Sequence, residues 1–178
     1  FPNITSEELI GDFLNNLNML SNIQAFNKFN TPRIAQLSQR SNQFNLRTVR
    51  YTENDIDRIS TSDDYVTFAF TLEDKFGDNG LICVTILNKE DGKSLFIDTW
   101  FMSCRVLKRG MENFVLNTIV NFAKKNGFTT IKGEYIPTLK NDIVKDHYLN
   151  LGFEKYQSYF SLETQNYQDR KNYINIKK

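Results

Sequence analysis

A chain of 178 residues is long enough for one domain with a sizeable core. With 22 Lys+Arg against 21 Asp+Glu its net charge is +1, which gives no global attraction to nucleic acid or to a membrane surface. No apolar run reaches membrane-spanning length, and the first residues lack the basic and apolar regions of a signal peptide, so the composition reads as that of a soluble cytoplasmic protein.

In chain order, residues 6–20 carry Leu9, Ile10, Phe13, Leu14, Leu17 and Leu20 on one helical stripe, with Thr5 or Ser6 as cap and Glu7 and Glu8 in the first turn. Residues 23–29 read as a first strand. Thr31-Pro32 starts a helix that runs through Ile34 and Leu37 to Ser41. A short strand is expected at 46–51, then a capped short helix at 55–59. Asp55-Ile-Asp57 has the Asp-x-Asp spacing of some phosphate-transferring enzymes, but those aspartates follow a buried strand and these follow a capping box.

Residues 65–72 and 81–87 read as strands joined by the turn cluster Phe76-Gly-Asp-Asn-Gly80. The cluster Asn88-Lys-Glu-Asp-Gly92 leads into an apolar run at 94–103, read as the central buried strand. A basic loop, 105–110, follows. Then Met111, Phe114, Val115, Thr118, Ile119 and Phe122 mark one face of a helix that ends near Lys125, before Asn126-Gly127. A strand at 129–135, a helix at 141–151 ended by Gly152, a strand at 153–162 and a polar, frayed tail complete the chain. The two cysteines, Cys83 and Cys104, fall in predicted strands. They lack metal-type spacing and are accompanied by a single His, which argues against a zinc site and for reduced thiols.

The strand, basic loop and helix at 94–125 form the stretch around which the rest is arranged. A helix N-terminus leaves backbone N–H groups free, and Arg105, Lys108 and Arg109 surround that point with positive charge. Such a loop is a phosphate seat, although similar loops in many α/β proteins bind nothing.

The loop Arg105-Val-Leu-Lys108-Arg-Gly110 keeps the first and last positions of an Arg/Gln-x-x-Gly-x-Gly/Ala motif, with Lys108 in place of the first Gly. Tyr148-Leu-Asn-Leu-Gly152-Phe153 matches a Tyr-x-x-x-Gly-Phe motif. In this order the elements resemble the GNAT fold of acyl-CoA N-acyltransferases, an α/β (α+β) fold with a mixed, mostly antiparallel central sheet flanked by helices. The resemblance implies a sheet that splays open beside the strand ending at Cys104. Residues 33–45, 74–80, 98–105 (Asp98-Thr-Trp-Phe-Met-Ser-Cys-Arg105) and 133–141 are similar to the C-terminal GNAT-like domain of FkbH-like proteins.

That resemblance implies one domain of a longer protein: a connecting helix over 1–21 from an absent N-terminal HAD-type domain, the GNAT-like domain over 22–165, and a polar tail over 166–178. It also implies transfer of a glyceryl unit from a phosphorylated glycolytic donor to the phosphopantetheine thiol of an acyl carrier protein, in the biosynthesis of polyketide-type precursors. No metal is expected.

The cofactor is then a carrier-bound phosphopantetheine, or CoA or acetyl-CoA. Its phosphate would sit on Arg105, Lys108, Arg109 and Gly110, with Met102, Ser103, Val106, Met111 and Asn141 beside it. The arm's amides would pair with the central strand by strand addition. Cys104 has three readings: a buried strand cysteine, a wall of the arm's channel, or a nucleophile that holds the acyl group, its pKa lowered by Arg105 and the helix N-terminus. Tyr148 could protonate the leaving thiolate, or pack with Val144. Glu134 and Asp98 are candidate general bases. Asn42, Gln43 and Asn45 could line an acyl pocket. Asn141 could cap its helix or touch the arm, and His147 reads as a surface or capping residue. Three functions compete: a carrier-dependent acyltransferase, a non-catalytic docking module for the carrier arm serving a separate HAD-type domain, and a CoA-dependent N-acetyltransferase.

Overall fold

A computed structural model describes residues 3–178. The elements are α1 (Ser6–Asn16), β1 (Met19–Ser21), β2 (Ile23–Gln24), α2 (Thr31–Arg40), α3 (Glu53–Thr61), β3 (Tyr65–Asp74), β4 (Gly77–Glu90), β5 (Ser94–Met102), α4 (Met111–Lys125), β6 (Thr130–Gly133), α5 (His147–Asn150), β7 (Glu154–Tyr156), β8 (Tyr159–Glu163) and β9 (Ile174–Ile176). They form one sheet in the order β7-β8-β6-β5-β4-β3-β1-β9, with β2 also on β3. All neighbours are antiparallel except β5–β6 and β1–β9. Among the described residues no helix is long and apolar enough to cross a membrane.

The alternation of β5 distributes its side chains to two cores. Leu95, Ile97, Trp100 and Met102 join Val115, Ile119 and Val120 of α4 on one face. Phe101 joins Ile34 of α2 and Ile56 of α3 on the other. The sheet is therefore covered on both sides, as the element order implied.

Several boundaries differ from the sequence expectation. The first helix ends at Asn16 rather than at residue 20, because Asn18 turns the chain with φ 52°, a conformation asparagine tolerates. Of the expected strand at 23–29 only β2, Ile23–Gln24, forms, and a further short strand, β1, lies within the stretch read as a connecting helix. Residues 46–51 are not a strand. The helix expected at 141–151 is a 3₁₀ turn over Asp142–Val144 and the single turn α5. The strand at 153–162 is a hairpin, β7–β8. The tail is not frayed: its end pairs in parallel with β1, Met19 opposite Ile174.

Two side chains on α5 lock it to the sheet. Tyr148 is 1% exposed, and a Cβ on Gly133 of β6 would stand 2.4 Å from its ring. Glycine at 133 is what lets the ring lie on the strand. His147, expected at the surface, is 7% exposed, its ring edge-on to Trp100 at 4.3 Å between centroids. Neither His147 Nε2 nor the Tyr148 hydroxyl has a hydrogen-bond partner among the described residues. Burial pushes the tyrosine hydroxyl up and the imidazole down to about 3.

Two predictions follow from this packing. Gly133→Ala should destabilise the domain by about 1–3 kcal/mol through overpacking, while Tyr148→Phe, which removes an unpaired buried hydroxyl, should leave stability unchanged or raised in urea titrations. The unfolded chain protonates His147 below its ordinary value of 6.5, but the native chain only near pH 3. The native state therefore loses about 1.4 kcal/mol per pH unit over that window. In a series of urea titrations across it, His147→Leu should show a correspondingly flatter acid limb.

Candidate functional site

The site is set by where two parallel strands part. β5 pairs with β6 only from Ser94 to Phe96, and β6 ends at Gly133 while β5 continues to Met102. The sheet therefore splays at the strand expected. The backbone edge of β5 is not left open, however. Phe44 O accepts from Met102 N at 3.0 Å, and Leu46 N donates to Trp100 O at 3.2 Å. Ile136 N donates to Leu46 O at 2.9 Å, so this strap bridges both sides of the gap. Phe44, Asn45 and Leu46 are all buried. The expectation that a ligand's amides pair with the central strand is corrected here: the protein's own chain fills those positions.

Asn141 clamps the strap. Its Nδ2 donates to Asn45 O at 2.9 Å and to Ile136 O at 3.0 Å, while its Oδ1 accepts from Thr138 N at 2.8 Å. It is fully buried and fully engaged, and it makes no helix cap. Neither role expected for it applies.

Above the strap lies an ion cluster. Asp98 sits where the β4–β5 register shifts, between Ile86 and Leu87. Arg47 Nη1 contacts Asp98 Oδ1 at 3.3 Å, and Arg47 Nε contacts Glu134 Oε1 at 3.0 Å. Tyr51 donates to Asp98 Oδ2 at 2.6 Å; burial, then this bond, raises the tyrosine. Both candidate bases are thus paired with Arg47, a residue that no sequence pattern singled out. Asp98 is six residues before Cys104, roughly 20 Å along an extended strand, so the carboxylates and the thiol form separate groups.

The loop after β5 begins with Ser103, whose Oγ accepts from Arg105 N at 3.3 Å, so the chain leaves the strand in a 3₁₀ turn over Cys104–Val106. Val106 and Met111 are core anchors, 1% and 0% exposed. Lys108 takes φ 63° and Gly110 φ 84°, so the lysine adopts the left-handed conformation the replaced glycine would favour. The amides of Lys108, Arg109 and Gly110 meet no protein acceptor among the described residues. Arg105 is exposed. Arg109 is committed elsewhere: its Nη1 lies 2.8 Å from Asp74 Oδ2 and ties the β3–β4 hairpin to the loop. Burial alone would raise the Asp74 carboxyl; the Phe76 amide and Arg109 hold it below its ordinary value.

Cys104 is exposed rather than buried in a strand, and its thiol donates to Gln43 Oε1 at 3.1 Å. It lines a cavity of about 540 Å³ with Arg40, Asn42, Gln43, Met102, Ser103 and Lys140. A second cavity, about 480 Å³, lies at the start of α4, among Leu107, Lys108, Glu112, Val144, His147 and Arg170. Phe44 borders both. Glu112 reaches into the second, its carboxyl raised by burial. The structure thus gathers Cys104, Met102 and Ser103 on one side of Phe44 and Lys108 on the other. Tyr148 stays in the core beneath.

No family model and no curated protein matches this chain. Solved structures do. Ribosomal-protein-S18-alanine N-acetyltransferase from Escherichia coli superposes with a TM-score of 0.61 at 13% identity, over 84% of this chain and 99% of that one. The GNAT domain of S. lividans PAT gives 0.62 at 13%, over 79% and 89%. Spermidine N-acetyltransferase from Vibrio cholerae, solved with CoA and spermine, gives 0.60 at 11%, over 81% and 95%. The fold is that of the GNAT acetyltransferases.

The exposures of the two cysteines predict a chemical difference. Under native conditions one thiol per chain, Cys104, should react promptly with a thiol reagent such as DTNB, and Cys83, fully buried, only after unfolding. A Cys104→Ser variant should show no prompt phase.

Proposed function

We propose that this domain is an acyltransferase that holds an acyl group on Cys104 and delivers it to the thiol of a phosphopantetheine arm. The observation that carries the reading is the position of Phe44, a wall shared by the cavity holding the exposed thiol and the cavity at the start of α4. The second cavity suits the arm. Lys108 and Arg170 offer cations, the amides before α4 offer free donors, and Phe44, Leu107 and Leu151 offer apolar wall. Bound there, the arm would supply the accepting thiol.

On the protein's side, the Cys104 thiol gives up its proton to solvent, its sulfur bonds to the carbonyl carbon of an acyl phosphate, and phosphate departs with the electron pair of the broken C–O bond. Gln43 Oε1 orients the thiol for this step. The arm's thiol sulfur then bonds to the same carbon, and the Cys104 sulfur leaves with the electron pair of its C–S bond while the arm's thiol proton passes to solvent.

The similarity to FkbH-like proteins supports a glyceryl group as the cargo, a carrier protein as the acceptor and a HAD-type domain as a partner. A CoA-dependent N-acetyltransferase is a further reading, because CoA carries the same arm and the solved neighbours of this fold include such enzymes. A docking module is the second reading: Asp98 and Glu134 are paired to Arg47 and Tyr148 is buried, so none of these three expected acids and bases is free to serve Cys104.

Intact-mass spectrometry after incubation with a phosphoglyceryl donor decides between them. A glyceryl adduct on the wild type and on Cys83→Ala, absent from Cys104→Ser, is the expected result. An unmodified wild type, or an adduct that survives Cys104→Ser, overturns the covalent reading and leaves the docking module.

A further inference from the structure

Past β8 the chain runs back across the outer face of α4, and α4 is built to hold it. Asn113, Asn117 and Asn121 recur at four-residue spacing and so share one helical face. Asn121 Nδ2 donates to Asp169 Oδ1 at 3.1 Å. Asn117 grips residue 170 at both ends: its Nδ2 donates to Arg170 O at 2.9 Å and its Oδ1 accepts from Arg170 N at 2.8 Å. Asn113 Nδ2 donates to Lys171 O at 3.3 Å. Beyond this ladder β9 closes the segment onto β1. A polar tail is thereby fixed along its length by side-chain amides.

The ladder aims one side chain. Arg170 Nε donates to Asn113 Oδ1 at 2.8 Å and its Nη2 to Asn150 O at 3.1 Å. Both acceptors are uncharged, and no carboxylate pairs with this guanidinium among the described residues, in contrast to Arg47, Arg58 and Arg109. Its Nη1 has no protein acceptor among them. The guanidinium lines the α4 cavity with Lys108 and with His147, whose Nε2 is buried and unpartnered.

Resting on the reading of that cavity as the arm's site, we infer that Arg170 binds the arm's phosphate, so that the C-terminal segment is one wall of the site. An arginine held by neutral acceptors keeps its full charge and a spare N–H for an anion, and a pre-oriented fork loses little freedom on binding. Lys108 adds an exposed cation to the cavity, and Arg170 one held by two hydrogen bonds.

Calorimetric titration with two probes tests this: 4′-phosphopantetheine, which carries the arm's single phosphate, and pantetheine, the same arm without it. Wild type should bind 4′-phosphopantetheine, and Arg170→Gln should weaken that binding by roughly 10- to 100-fold, the range for a charged hydrogen bond, while leaving pantetheine unchanged. Arg170→Lys should recover only part, and Lys171→Gln, on the same segment, should bind as wild type. Thermal melting accompanies each variant. Should Arg170→Gln be unfolded at the assay temperature, Arg170→Lys carries the test with the same phosphate-selective loss. Equal losses on both probes mean a structural role and overturn the inference, as does wild-type affinity in Arg170→Gln. Wild type that binds neither probe overturns the arm-site reading itself.

Discussion

The architecture depends on how the parted strands are kept dry. Beyond Phe96, β5 would expose a row of backbone donors and acceptors in the middle of the sheet, where burying them unpaired costs free energy comparable to lost hydrogen bonds. A GNAT sheet must splay there, since β6 turns away at Gly133. This protein answers with its own residues. Phe44 and Leu46 pair with β5, and Asn141 fixes Asn45 from the far side. One asparagine with no spare hydrogen bond thereby links the chain before β3, the strand β5 and the chain after β6.

That closure moves the accessible chemistry outward. With the interior edge occupied, the described surface near β5 retains an exposed thiol at its end and free amides before α4, on either side of Phe44. The interior polar groups are correspondingly quiet. Arg47 binds both carboxylates and lies over the Phe96 ring at 5.0 Å, and Tyr51 completes the shell of Asp98. A partly buried cation between two acids and an aromatic face is a strong structural tie, because removing any member leaves charge poorly solvated.

The loop before α4 shows the same division of labour. It contains three cations with three different fates: Arg105 exposed, Lys108 at the cavity, Arg109 spent on Asp74. The last pair holds the hairpin tip against the loop, and so stabilises the left-handed turn at Lys108 and Gly110 that points the amides outward.

The sequence by itself determined the regular elements whose signals are local. The period of 3.6 in α4, the alternation in β3 to β5, the turn clusters between them and the two capping boxes are set by residues within a few positions of each other. So is the basic turn into α4, and its resemblance to the GNAT pattern carried the fold. Tertiary structure alone decided the rest. The strap, the clamp at Asn141, the Arg47 cluster and the anchoring of Arg170 depend on hydrogen bonds and ion pairs between residues as far as 96 positions apart. They leave no periodicity. An asparagine that clamps a strap, one that holds a tail and one that merely faces water look alike in a sequence, because what distinguishes them is the partner that folding brings.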